Sequence, residues 1–181
     1  ADGFTFGSYG RVQPATDLEG GTARQYNLVS HGSRLEQPTY AELEFAYRFP
    51  RPDGGPKFSM VFTLAYDGEL FHYTGNFHVQ SAVRNLYLQA DEVIVKPLSF
   101  WAGSRMYRGD DIYQLDFWPL DNLNTYGGGA GLFFEDTHVE LHAGLNRLDA
   151  DFQRQEIEVP APVYGAEKIV WMDRQRMVFS A

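Results

Sequence analysis

Residues 39–49 read TYAELEFAYRF. Side chains of an extended chain alternate with period 2, so Tyr40, Glu42, Glu44 and Arg48 fall on one face and Ala41, Leu43, Phe45, Tyr47 and Phe49 on the other. One face is polar and the other apolar, with aromatic rings gathered at one end. A soluble antiparallel sheet that packs one face on a core reads this way, and so does a barrel strand with water on one side and lipid on the other.

The same alternation extends in both directions from this stretch. Before it, Thr5, Gly7, Tyr9 and Arg11 share a face opposite Phe4 and Phe6. After the turn signal RPDGGPK, the segment KFSMVFTLAY sets Phe58, Met60, Phe62, Leu64 and Tyr66 against Lys57, Ser59, Val61, Thr63 and Ala65, which predicts an antiparallel hairpin through the glycines. Over residues 84–89, Asn85, Tyr87 and Gln89 oppose Leu86 and Leu88, and Arg84 falls on the wrong side. Either Arg84 lies in the preceding loop or a bulge shifts the register there. HVELHAGLN alternates again, with His138, Glu140 and His142 on one face, while the glycine run from Gly127 suggests a turn or a close backbone approach. EIEVPAPVYG is rich in turn formers, and IVWMDRQRMVFSA reads as one strand. Eight or nine strands are expected in all, with no capped helical pattern and no fixed repeat.

Composition narrows the setting. The formal net charge is −9, and no stretch gathers Lys and Arg as phosphate recognition requires, so no nucleic-acid partner is expected. Cysteine is absent, which removes disulfides and Cys-ligated metals. No apolar run approaches the ~20 residues of a membrane-spanning helix, and a membrane location is therefore open only to a closed barrel. The first residues, ADGFTFGSYG, lack a basic and apolar leader and are compatible with a mature end left by signal-peptide cleavage.

Residues 99–121, SFWAGSRMYRGDDIYQLDFWPLD, hold the densest chemistry. Trp101, Gly103, Arg105 and Tyr107 share one face of a strand, after which Arg108, Asp110, Asp111, Tyr113, Asp116 and Trp118 crowd a short segment. Aromatic faces stack on the C–H faces of sugars, while carboxylates and guanidinium groups hydrogen-bond their hydroxyls, so carbohydrate suits this mixture. A solvated loop with a packed root has the same composition. A pair of the aspartates could serve a glycoside hydrolase, but three on one loop offer no evident way to raise one pKa. His138, Glu140 and His142 could meet a divalent metal, although a polar face lining water explains them without one. No metal or cofactor is expected.

In order and approximate spacing, FGSYGR, TYAEL and above all FWAGSRMY followed by DDIYQLDF resemble the N-terminal part of the maltoporin family, the sugar-specific porins of Gram-negative outer membranes. Weaker likeness surrounds AVRN and GGGAGL, and it thins after Asn146. The resemblance implies an antiparallel transmembrane β-barrel of eighteen strands, of which residues 1–181 supply roughly the first half. It also implies a homotrimer in the lipid bilayer of the outer membrane, and a loop at about 108–125 folded inward to constrict the channel. The implied function is passive, selective diffusion of maltodextrin-like or other sugars, with no catalysis.

By the same resemblance, Tyr9 and Tyr40 match sliding aromatics, Arg11 and Arg84 flanking cations, Glu42 an acidic neighbour, and Asp111 and Asp116 constriction carboxylates. Asp110 and Tyr113 replace histidines, Gly109 replaces an arginine that Arg108 could supply from one position away, and Trp118 replaces a tyrosine beside the narrowest point. The family's first-loop cysteine pair is missing. Two other readings of these residues remain, a soluble carbohydrate-binding β-sandwich and a general, non-specific porin.

Overall fold

In the computed structural model, the residues described are 2–11, 19–21, 39–51, 53–68, 70, 75, 78–106, 124–147, 154–158 and 168–181. Ten strands form: β1 (Gly3–Arg11), β2 (Tyr40–Arg48), β3 (Lys57–Gly68), β4 (Val79–Asp91), β5 (Leu98–Met106), β6 (Asn124–Phe133), β7 (His138–Asn146), β8 (Arg154–Glu158), β9 (Lys168–Asp173) and β10 (Arg176–Ser180). Eight of them make one antiparallel sheet in the order β1-β2-β3-β4-β5-β6-β7-β10, and β8 pairs only with β9. Among the described residues β1 and β10 do not pair, so the sheet is open and has two edges.

Register carries the alternation across the whole sheet. Tyr9 faces Glu42, Glu42 faces Ala65, and Glu44 faces Thr63, which in turn faces Asn85. Farther along, Gln89 faces Trp101, Trp101 faces Gly129, and Gly129 faces His142. Arg11, Glu42, Glu44, Arg48, Lys57, Asp67, Asp91, Arg105, Glu140 and Arg176 all occupy positions on this one face. The remaining charged residue of the eight strands, Arg84, is the extra residue of a bulge where the register shifts beside Thr63 and Leu64, and it ion-pairs with Glu42 on the same face. No Asp, Glu, Lys or Arg lies on the other face.

Burial is inverted relative to a water-soluble core. Trp101, Thr63, Ser99, Thr125, His142 and Asn146 are buried, and all belong to the polar face. Phe6, Leu88, Leu141 and Phe179, on the apolar face, are each more than half exposed. Side chains converge on the inside of a curved sheet and diverge on its outside, so the polar face is the inner one. Leu43, Phe45, Phe62 and Leu64 are half-buried, and among the described residues no second layer covers them.

The connections also differ between the two ends. β2–β3, β4–β5 and β6–β7 are joined by residues 49–56, 92–97 and 134–137, whereas 12–39, 69–78, 107–123 and 147–175 join strands at the opposite end. At the short-turn end, Glu92 takes an ion pair from Arg51 at 2.6 Å and from Lys57 at 2.5 Å. The hydrogen bond from Lys57, with Arg51 beside it, holds the Glu92 carboxyl below its ordinary range. Aromatic rings mark both rims of the apolar band, with Tyr47, Phe49, Phe58 and Phe100 towards the short turns and Tyr66 and Tyr126 towards the long connections.

Three details differ from the sequence expectation. The glycine run forms strand β6 rather than a turn, and the close approach is what it provides. The segment read as one C-terminal strand is two, because the polar run Asp173–Arg176 interrupts the apolar alternation and the chain changes partner from β8 to β7. Residues 156–158, the start of the stretch read as turns, belong to β8, which brings the total to ten.

Candidate functional site

The inner face carries two side-chain groups. The first lies towards the long-connection end, where β1, β2 and β4 bring together Tyr9, Tyr40, Glu42 and Arg84. The Tyr9 and Tyr40 rings are 6.3 Å apart and tilted by 57°. The Tyr40 hydroxyl donates to Glu42, the Arg84 guanidinium donates to the Tyr40 hydroxyl, and Arg84 ion-pairs with Glu42. Arg84 also lies over the Tyr40 ring, 5.8 Å from its centre, and reaches the sulfur of Met106. The bulge is the local reason. It adds one residue to β4 without inverting the strand on either side, and so places a cation where regular alternation would allow none.

The second group follows along the same wall. Trp101 of β5 stacks on His142 of β7 at 5.4 Å and 22°, across the intervening β6. Only glycine permits this arrangement. A Cβ at Gly129 would collide with Trp101 Nε1 and lie 2.7 Å from the Leu141 carbonyl oxygen. Trp101 is only 8% exposed. Tyr87 meets Trp101 edge-on at 6.1 Å, and Arg105 lies 4.9 Å from the centre of Tyr87 and 5.1 Å from that of Trp101.

Hydrogen bonds tie these groups to the wall. Thr63 donates to Glu44 at 3.1 Å, Asn85 donates to Thr63 at 3.0 Å, and the Met106 N–H donates to Asn85 at 2.8 Å. His142 bonds Thr125 through Nε2 at 2.7 Å and Ser180 through Nδ1 at 3.2 Å. The result is a wall of aromatic rings and hydrogen-bonding side chains, a chemistry able to meet the hydroxyls of a polar solute.

Of the residues singled out from sequence, Tyr9, Tyr40, Glu42 and Arg84 are brought into one cluster. Arg11 ends β1 opposite Tyr40 on the same face, and its side chain lies outside the described residues. Arg108, Asp110, Asp111, Tyr113, Asp116 and Trp118 lie outside them as well. The loop expected at about 108–125 lies outside the described residues but for Asn124 and Thr125, which belong to β6. His138 and His142 stand four strand positions apart, about 13 Å, too far to share one ion. His138 stacks on Phe133 at 6.0 Å instead, and no group of three ligand-type residues among the described ones could hold a metal. The sequence reading passed over Tyr87, Trp101 and Arg105 as wall residues. The available signal was a tryptophan on a polar strand face followed by glycines at every second position, 127, 129 and 131.

The sequence model of the LamB porin family matches residues 4–157, from β1 into β8. The chain belongs to the LamB porin family. No curated protein and no solved structure matches it. A LamB porin is an outer-membrane β-barrel channel through which sugars diffuse, and this LamB porin contributes an open, all-antiparallel stretch of such a wall. The family assigns water to the inner face and acyl chains to the apolar face, the distribution the strands already display. Membership also speaks for a channel rather than a hydrolase, and for a barrel wall rather than a β-sandwich.

Proposed function

We propose that this porin is a passive, selective channel for oligosaccharides of maltodextrin type, working as a homotrimer in the outer membrane of a Gram-negative bacterium. The observation that carries the reading is the segregation of every charged side chain in eight strands onto one face, with Tyr9, Tyr40, Glu42 and Arg84 clustered there. In lipid, each unpaired backbone group costs several kcal/mol, so the β1 and β10 edges pair with further barrel strands.

Conduction needs several weak sites in series, since one tight site retains the solute. Tyr9 and Tyr40 offer ring faces, and Glu42 and Arg84 offer hydroxyl partners, each contact worth about 1 kcal/mol net. In the loop that follows β5, Tyr113 and Trp118 would continue the stacking surface. Arg108, Asp110, Asp111 and Asp116 would line the narrowest point, with Arg11 flanking the approach. Such an acidic constriction favours cations over anions.

Planar-bilayer conductance of the intact protein, titrated with maltodextrins, sucrose and glucose, tests this function. Graded block that strengthens with maltodextrin length supports it. Large steps insensitive to every sugar would make the protein a general porin, and anion selectivity would contradict the acidic constriction.

A further inference from the structure

The β8–β9 hairpin stands apart from the eight-stranded sheet, within the long connection between β7 and β10. Its second strand lies beyond the stretch that the family match covers. The register slips between Gln155 and Glu156, whose partners are Met172 and Val170, so Trp171 is the bulged residue. A bulge re-aims a side chain out of the pleat, and Trp171 is 71% exposed. The residue opposite the slip is Glu156, ion-paired at 2.7 Å with Arg154. The base of the hairpin is held to the end of β7 by Arg147 and Asp173 at 2.9 Å. A broad ring face is thereby exposed on the same short hairpin as a carboxylate and a guanidinium, at the end of the sheet where Tyr9 and Tyr40 also lie.

We propose that this hairpin is a saccharide-docking platform at the long-loop mouth of the channel, with the Trp171 ring as its stacking face and Glu156 and Arg154 as its hydroxyl partners. The site rests on the channel reading above and lies ahead of the wall residues in the path of the solute. Other occupants fit less well. Glu156, Glu158 and Asp173 outnumber Arg154 and Lys168 on the hairpin, which disfavours an anionic headgroup layer. Ile157, Ile169 and Val170 are exposed on the hairpin too, but two strands of five and six residues fall short of the ~1,000 Å² that a protein partner needs.

The test compares Trp171→Ala and Trp171→Phe with the unmodified protein in planar bilayers, with maltohexaose added to one side at a time. From the long-loop side, the Ala variant should lower the association rate of block on the order of fivefold to tenfold, the loss expected for one stacking face. The Phe variant should retain part of it. Ion conductance, dissociation rate and block from the short-turn side should not change. The fluorescence change on maltohexaose addition should also be smaller in Trp171→Phe. An unchanged association rate with intact block overturns the platform and leaves the channel standing, as does altered membrane insertion without a sugar effect. Absence of block in the unmodified protein from either side removes the channel reading itself, and the platform with it.

Discussion

Phe62 sits midway along β3 on the apolar face, between Phe45 and Leu86 in register, with its ring stacked 6.1 Å from Phe45. Replacing it with arginine puts a cation among acyl chains at the centre of the band, which costs ~2–4 kcal/mol in a barrel wall. The lost ring pair adds about 0.5–1.5 kcal/mol, so Phe62→Arg should destabilise by about 2.5–5.5 kcal/mol in all, or roughly two to four decades in the folded ratio. Ala65→Arg, three residues on, makes the same chemical change on the inner face opposite Glu42 and should cost less than about 1.5 kcal/mol. Guanidinium titration of both variants refolded into phospholipid vesicles reads the difference directly. Equal losses, or a larger loss for Ala65→Arg, would refute the assignment of lipid and water to the two faces.

Gly129→Ala should displace the Trp101 ring and cost about 1–3 kcal/mol by overpacking, visible as a lost near-UV tryptophan signal and a lower melting temperature. Arg84→Ala leaves the half-buried Glu42 carboxylate without its cation, so reversal potentials in a salt gradient should shift towards stronger cation selectivity and sugar residence should shorten. Glu92 has a folded-state pKa below its unfolded one, so its contribution to stability is complete above the unfolded value and is lost as pH falls through the folded value. Unfolding midpoints of the unmodified protein and Glu92→Gln should therefore differ at neutral pH and converge in acid; a gap that persists or widens in acid would show that the clamp with Arg51 and Lys57 does not act through the carboxylate charge.

The identity and facing of β1 to β5 and β7 were legible from alternation alone, because a sheet between two solvents writes its environment into every second residue. The hairpin through RPDGGPK formed as its glycines imply, and the misfit of Arg84 resolved into a bulge, one of the two explanations that sequence left open. What sequence could not decide was which solvent lay on which side, since a core and a bilayer select the same phenylalanines; the inverted burial of Trp101 and Leu88 answers it. The wall around Trp101 was hidden for another reason. Its contacts join β4, β5 and β7 across β6, and a single strand shows only its own glycines, not what rests on them. At the C-terminal end the polar interruption after Asp173 looked like a tolerated irregularity, because local pattern does not reveal that a chain has switched partners.

The bulge at Arg84 has a consequence for how such a pore changes over evolutionary time. Val83 points outward and Asn85 inward, so deleting the codon between them would leave an unbroken ladder with Val79, Val83, Leu86 and Leu88 still turned to the membrane. Deleting Leu88 instead would make the like-facing Tyr87 and Gln89 neighbours and turn one flank of the strand inside out. Selectivity can thus be edited at this one position by single-codon insertion and loss, independently of the oily exterior that keeps the protein in its bilayer.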